Sequence, residues 1–278
     1  MHKLKIIIVL YNCNYNKSNT LISLILHKDL LADLFLTDVF IQDNSDKQQK
    51  IPDSVIKSLK ATYFHAPSNP GLSNAYNNYN NIVDFKKDWL LILDQDTTLN
   101  KKYFIELSKA LSNQTNYVAL VPFINGQNNK IVSPNLVSRL GTFKPINKNF
   151  SGVIERRATA FNSCTLINME FLSQINGFTD KFPLDMLDHW FFSQVYKSRK
   201  KVCVLPVTVN HELSLLSKEY MKISRYKKFL KSEILYYRDE GKLVFFIYKL
   251  RLSMRTIKRF FKGHIIISKL TLFNIFKN

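Results

Sequence analysis

The 278-residue sequence predicts an α/β domain on a largely parallel sheet, followed by a basic helical C-terminal extension. Three observations predict it. Apolar runs of strand length alternate with longer segments of helical periodicity. Each run gives way to Asn, Asp or Ser, at the strand ends where α/β sheets bind ligands. The positive charge is uneven: residues 242–278 hold nine Lys+Arg and no acid, whereas residues 1–241 set thirty-one against all twenty-one acids.

Residues 6–10 (Ile-Ile-Ile-Val-Leu) form a β-branched run suited to a central strand buried on both faces. Residues 21–36 suit a helix, with apolar side chains at Leu21, Leu24, Ile25, Leu31 and Leu34. Val39-Phe40-Ile41 reads as a second strand ending in Gln42-Asp43-Asn44-Ser45. Tyr63-Phe64-His65 is a short third strand, and Ser68-Asn69-Pro70-Gly71 is a turn. A helix over residues 73–83 leads to a fourth strand, residues 89–93, which runs into Asp94-Gln95-Asp96. A further helix is expected over residues 101–112, and an apolar strand over 202–209.

Composition excludes several classes. Three scattered cysteines (Cys13, Cys164, Cys203) cannot make a disulfide scaffold or a zinc ribbon, and they suggest a reducing compartment. With seven glycines in the chain, no Gly-rich phosphate loop of dinucleotide or P-loop type is present. No apolar run reaches the roughly 20 residues of a membrane span. The basic start before residues 6–10 imitates a signal peptide, but the run is short and lacks a small-residue cleavage site. A net charge of +19 predicts an anionic partner, whether nucleic acid, phospholipid or phosphorylated substrate.

Asp94 and Asp96 carry the strongest chemical signal. Two carboxylates one residue apart at a strand end repel unless a cation lies between them. Oxygen ligation with open positions suits Mg²⁺ or Mn²⁺ holding phosphate oxygens. The structural alternative is a solvated turn capping the helix at 101. Asp185 and Asp188, three apart at a helix start, can share one face; Asp188 could instead be the N-cap of a helix over 190–197. His211 lies at the end of the 202–209 strand and is either structural or close to the acids. Trp190 and Phe191 could stack on a sugar or fill the core. Arg156 and Arg157 could meet a phosphate or simply be exposed.

Leu90-Leu91-Ile92-Leu93-Asp94-Gln95-Asp96-Thr97 resembles the donor-site signature of family 2 glycosyltransferases, especially their rhamnosyltransferase-like branch. Asn69-Pro70-Gly71-Leu72-Ser73-Asn74-Ala75-Tyr76-Asn77 resembles the Asn-x-Gly…Ala-x-Asn motif of that branch. Residues 6–12, Gln42-Asp43-Asn44-Ser45, residues 161–167 and Ile175-Asn176-Gly177-Phe178 match further family segments in order, so the resemblance spans residues 3–211. It implies a GT-A fold, a mixed sheet between helices, with a catalytic domain at 1–212 (nucleotide-sugar half 1–100, acceptor half 101–212) and a tail at 213–278. Carried over, Asn12, Asp43, Asn69, Gly71, Asn77 and Asp94 would bind the donor, with Asp43 on its base. Asp94, Asp96 and His211 would hold Mg²⁺ or Mn²⁺. The acid near residue 188 would be the catalytic base. His189-Trp190 departs from the acid or amide usual after it, so the choice between Asp185 and Asp188 stays open, with Asp188 favoured.

The expected function is inverting transfer of a sugar, rhamnose first, from a nucleotide-diphosphate donor to a lipid-linked glycan in surface polysaccharide synthesis (O-antigen or capsule). Galactofuranosyl or other hexosyl transfer remains open. A basic nucleic-acid-binding protein without catalysis is the alternative from charge alone, but no nucleic-acid motif appears and the acids cluster where such a groove should be positive. The tail repeats Leu243, Ile247, Leu250, Met254, Ile257 and Phe261 at helical spacing, with Arg251, Arg255, Lys258 and Lys262 on another face. That pattern suits peripheral contact with the inner face of the cell membrane, or a helix packed on the catalytic body.

Overall fold

The computed structural model describes residues 2–80, 88–113, 116–126, 130–211 and 222–276. The first half contains β1 (His2–Leu10), α1 (Asn19–Leu26), α2 (Lys28–Leu34), β2 (Phe35–Asp43), α3 (Asp53–Leu59) and β3 (Ala61–His65), then α4 (Leu72–Asn80), β4 (Trp89–Asp94), β5 (Thr97–Thr98) and α5 (Lys101–Ser112). Next come β6 (Tyr117–Asn125), β7 (Ile131–Ser133), β8 (Asn135–Val137), β9 (Phe143–Pro145), β10 (Gly152–Ile154), β11 (Ala158–Thr159) and β12 (Thr165–Asn168). They are followed by α6 (Met169–Gln174), α7 (Leu187–Lys197) and β13 (Lys201–His211). The chain continues with α8 (Ile223–Asp239), α9 (Lys242–Phe261) and α10 (Ile265–Phe276). Contacts divide it into two compact units, Met1–Leu136 with Pro145–Leu213, and Val137–Lys144 with Ser214–Asn278.

The first unit is built on a mixed sheet ordered β10-β13-β6-β12-β4-β1-β2-β3 and flanked by helices, the GT-A architecture. β1 and β4 lie at its centre, with Ile6, Ile7, Ile8 and residues 90–93 fully buried, as continuous apolar runs require. Their register positions the site. Leu10 pairs with Asp43 and Val9 with Asp94, so β1, β2 and β4 end level on one edge. β12 runs antiparallel to β4 and β6, which makes the sheet mixed rather than parallel throughout. At the far side His211 of β13 pairs with Thr97 of β5.

The structure changes three local expectations. The helix expected over 21–36 is two helices broken at His27, and the chain is already extended at Phe35. There it pairs with His2, so strand pairing overrides a helical periodicity that the sequence continues to Leu34. β2 is accordingly longer than residues 39–41. α3 was not foreseen because only Leu59 of its seven residues is buried, leaving no apolar stripe to read. Asp188 is not an N-cap: α7 starts at Leu187, after Met186 in a left-handed conformation, and Asp188 sits in its first turn. The helix expected over 73–83 is described as far as Asn80; residues 81–83 lie outside the described residues.

The second unit packs α8, α9 and α10 around Tyr226, Phe229, Leu230, Tyr237, Tyr248 and Leu252. The Tyr237 and Tyr248 rings stack with centroids 4.2 Å apart. Buried Glu233 takes both arms of Arg255 at 2.9 and 2.5 Å. Arg251 donates to the carbonyls of Leu140 and Gly141 at 3.1 and 3.2 Å, which ties in the 137–144 segment.

Candidate active site

The turn after β4 gathers the acids. Asp94 closes the strand, and α1 anchors the turn that follows it. Ser18, the α1 N-cap, donates to the Gln95 carbonyl at 2.8 Å. The Thr20 hydroxyl donates to the Asp94 carbonyl and accepts from the Thr97 amide. From the turn before β12, the Ser163 hydroxyl accepts from the Asp94 amide at 3.1 Å and lies 2.7 Å from the Thr97 hydroxyl. Thr97 in turn lies 2.8 Å from His211 Nδ1. A backbone held at this many points fixes its carboxylates without demanding contacts from them.

Asp94, Asp96 and His211 each present a ligand atom within 4.8 Å of the others, and His211 Nδ1 is 3.4 Å from Asp96 Oδ1. β13 supplies the histidine through its register with β5, a contact more than a hundred residues apart. Two carboxylate oxygens and an imidazole, with no thiolate, form a donor set that fits Mg²⁺ or Mn²⁺ with positions left for phosphate oxygens. Burial pushes the Asp94 carboxyl up to about 6, and Asp96 and Asp188 push the same way; His211 and the Tyr76 hydroxyl pull it down. A carboxylate held this way gains from a neighbouring cation.

Tyr76 was not singled out from sequence. It is fully buried in α4, its ring 5.1 Å from that of Phe178, and its hydroxyl donates to Asp94 Oδ1 at 3.4 Å. Burial raises its own phenol, and the charges of Asp94 and Asp188 raise it further. Asp188 thus belongs to the same electrostatic cluster as the strand-end acids. It is half-buried, and its Oδ1 accepts the amide of His189 at 2.8 Å. Asp185 is buried beside the left-handed Met186. The only signal that could have exposed Tyr76 was a large hydroxyl-bearing side chain on a helix otherwise rich in asparagine.

The structure places the other residues singled out from sequence as follows. Asp43 is fully buried: its Oδ1 accepts from Ser45 N at 2.9 Å, and its Oδ2 accepts from Gln49 N and the Tyr63 hydroxyl at 2.7 and 2.5 Å. These bonds hold its carboxyl below the ordinary range although burial opposes them. Asn77 clamps the Phe178 backbone at both ends, donating at 2.6 Å and accepting at 2.8 Å. Gly71 (φ +90°) lies against Pro183, whose carbonyl accepts from Leu72 N at 2.6 Å. Asn69 is exposed with φ +43°. The Asn12 amide donates to Ser45 Oγ at 2.7 Å. Asn12 also lines a cavity of about 480 Å³ with Cys13, Lys17, Asp46, Lys47 and Gln49, at the ends of β1 and β2. Burial raises the Cys13 thiol at this wall, and the charge of Asp96 raises it further. Phe191 is buried between Phe171, Phe178 and Phe192, so it fills the core rather than a sugar site, while Trp190 is half-buried. Arg157 reaches Ser193 Oγ at 3.3 Å. Glu212, next to His211, lies outside the described residues.

With this geometry in view, the sequence matches Glycosyl transferase family 2 over residues 5–172, more than half of the chain. The chain belongs to glycosyl transferase family 2. The matched stretch of this family 2 chain includes Asp43, Asp94 and Asp96 and ends before Asp185, Asp188 and His211. No curated protein sequence matches it. Among solved structures, S. aureus TarS 1-349 in complex with UDP-GlcNAc is similar, with TM-score 0.56 and 17% identity over 84% of this chain. TarS 1-349 in complex with UDP gives TM-score 0.53 at 16% identity, again over 84%. Longer TarS gives 0.54 at 16%. At these identities the likeness is one of fold. The family 2 chain spans 65% of TarS 1-349 and 38% of the longer TarS chain.

Proposed function

We propose that this chain transfers a sugar, with inversion, from a nucleotide-diphosphate donor to an acceptor hydroxyl. The observation that carries the reading is the convergence of Asp94, Asp96 and His211 within 4.8 Å at the end of β4, with the charge of Asp188 reaching the same cluster. Asp94, Asp96 and His211 would hold Mg²⁺ or Mn²⁺, which when bound neutralises charge on the departing diphosphate. Asp188 removes the proton of the acceptor hydroxyl as that oxygen bonds to the anomeric carbon. The carbon–oxygen bond to the diphosphate breaks on the opposite face, and its electron pair leaves with the nucleotide. Half-burial of Asp188 supports this role over buried Asp185.

The cavity at the ends of β1 and β2 is the proposed nucleoside site, with Asn12 and Gln49 at its wall and Asp43 bracing the 44–49 loop. Gly71, through Pro183, and Asn77, through Phe178, brace the rest of the proposed donor site, with Asn69 in the turn before them. The run from Asn69 to Asn77 favours rhamnose as the sugar, whereas similarity to TarS in complex with UDP-GlcNAc supports a UDP-sugar. A lipid-linked glycan is the proposed acceptor, reached from the cytoplasmic face of the membrane by peripheral attachment through the tail. No helix among the described residues is long and apolar enough to cross a membrane.

The test is a thermal-shift panel of nucleotide sugars with and without Mn²⁺ on the parent, Asp96→Ala and Asp188→Asn. The parent is expected to be stabilised by one donor in the presence of Mn²⁺. Asp96→Ala should lose that shift. Asp188→Asn should keep it while transfer falls by about 10²–10⁴-fold. A parent indifferent to every nucleotide sugar, or an Asp96→Ala variant that responds as the parent does, would overturn the reading.

A further inference from the structure

α9 turns its apolar side outward. Leu243, Phe246, Leu250, Met254, Ile257 and Phe261 recur every three or four residues, and each is between 51% and 82% exposed. In α10, Ile266 and Phe273, seven residues apart, are 63% and 62% exposed. The inward side of α9 is a different set, Tyr248, Leu252 and Thr256. Arg251 and Arg255, expected on its basic face, are engaged within the unit, and so is Arg259. Arg251 serves the carbonyls of Leu140 and Gly141, Arg255 pairs with Glu233, and Arg259 donates to the Tyr226 hydroxyl at 2.6 Å.

Lys242, Lys258 and Lys262 remain for solvent, while Lys249 is half-buried with its ammonium 4.9 Å from the centre of the Phe245 ring. Helical spacing puts Lys258 and Lys262 along one flank of the apolar stripe and Lys242 and Lys249 along the other. An exposed apolar stripe between two rows of lysine, in a segment without a single acid, is the composition of an interfacial helix: apolar side chains enter the acyl boundary and the long stems carry their ammonium groups back to the headgroups. A second copy on this face would bring two lysine borders together with no carboxylate between them, so the charge pattern disfavours self-association.

We propose that the outward face of α9 seats in an anionic phospholipid surface, with burial of the apolar stripe as the main contribution and the lysines selecting phosphate-rich headgroups. This rests on the membrane location proposed above and gives it a geometry: Arg251 and Arg255 are engaged within the unit, so the apolar stripe and the flanking lysines meet the lipid. Salt therefore weakens binding without abolishing it, since only the flanking lysines are screened.

The test is co-sedimentation of the full chain with phosphatidylcholine vesicles containing phosphatidylglycerol and with phosphatidylcholine alone. The parent is expected to bind the mixed vesicles and to keep part of that binding in high salt. Leu250→Glu/Ile257→Glu should lower the partition roughly tenfold or more, through loss of apolar burial. Lys258→Glu/Lys262→Glu should weaken binding to the mixed vesicles only. Both variants should melt with the parent and bind nucleotide sugar as it does. A parent that stays in solution, or a Leu250→Glu/Ile257→Glu variant that binds as before, overturns the inference. So does a fall of several degrees in that variant's melting temperature, which would put the face inside the fold. A parent oligomer that this variant dissociates would assign the face to a second copy, again against the inference. Vesicle binding absent with nucleotide binding intact sinks this inference together with the peripheral attachment it rests on and leaves the sugar-transfer reading standing; nucleotide binding absent with vesicle binding present sinks the catalytic reading alone.

Discussion

Replacing Asp94 with asparagine should make the metal-free protein more stable while removing its use for a metal. The Asp94 carboxyl rises from an ordinary 3.8 to about 6, first through burial and then through Asp96 and Asp188. A carboxyl raised in the folded state keeps its proton where the unfolded chain has lost it. Its unfavourable contribution is thus absent below the unfolded value, grows as pH rises through the interval, and is complete above about 6. About two units correspond to about 3 kcal/mol at neutral pH, the ceiling of what Asp94→Asn can recover. For a unit of this size that is about 6–12 °C in melting temperature. The assay is thermal or urea unfolding of parent and variant in chelator at pH 4, 6 and 8. The two should coincide at pH 4 and separate by pH 8 in favour of the variant, and Mn²⁺ should stabilise only the parent. A variant no more stable than the parent at pH 8 would refute the account of Asp94 as a strained ligand.

Tyr76→Phe removes the hydroxyl that donates to Asp94 but keeps the ring against Phe178. It should weaken Mn²⁺ binding about 2–5-fold, as loss of one long hydrogen bond to a carboxylate implies, with little change in melting temperature; titration followed by Mn²⁺ spin resonance measures this directly. Gly71→Ala sets a Cβ 2.5 Å from the Pro183 carbonyl oxygen at φ +90°. Urea unfolding should show a loss of about 1–3 kcal/mol from the strained backbone, and more if Pro183 is displaced.

The strand-end acids and the central strands were legible because burial on both faces demands unbroken apolar runs, and residues 6–10 and 89–93 supply them. α5 was legible to the residue, with Asn100 capping it and Tyr103, Phe104, Leu107 and Leu111 on its buried face. The approach of His211 to Asp96 was visible only as a polar strand end, because it depends on a β13–β5 register that no local pattern encodes. The hydroxyls of Ser18, Thr20 and Ser163, which hold the Asp94–Thr97 backbone, look in sequence like ordinary loop residues. The tail misled differently. Its stripe and its arginines were both visible, but which side faces the protein was settled by Glu233 and by the carbonyls of Leu140 and Gly141, far away in sequence.

The Pro183 carbonyl accepts the first amides of α4, and Asn77 near the end of that helix grips Phe178 from both sides. The segment carrying Asp185 and Asp188 is therefore fastened to the same helix that brings Tyr76 to Asp94. Inheritance of the two halves cannot then be modular. A chimera taking residues 101–212 from a relative would mate a foreign 177–188 segment with the native 69–77 segment and displace Asp188, the proposed base, relative to Asp94. Any change in the 177–188 segment has to evolve, or be engineered, as a paired exchange with residues 69–77.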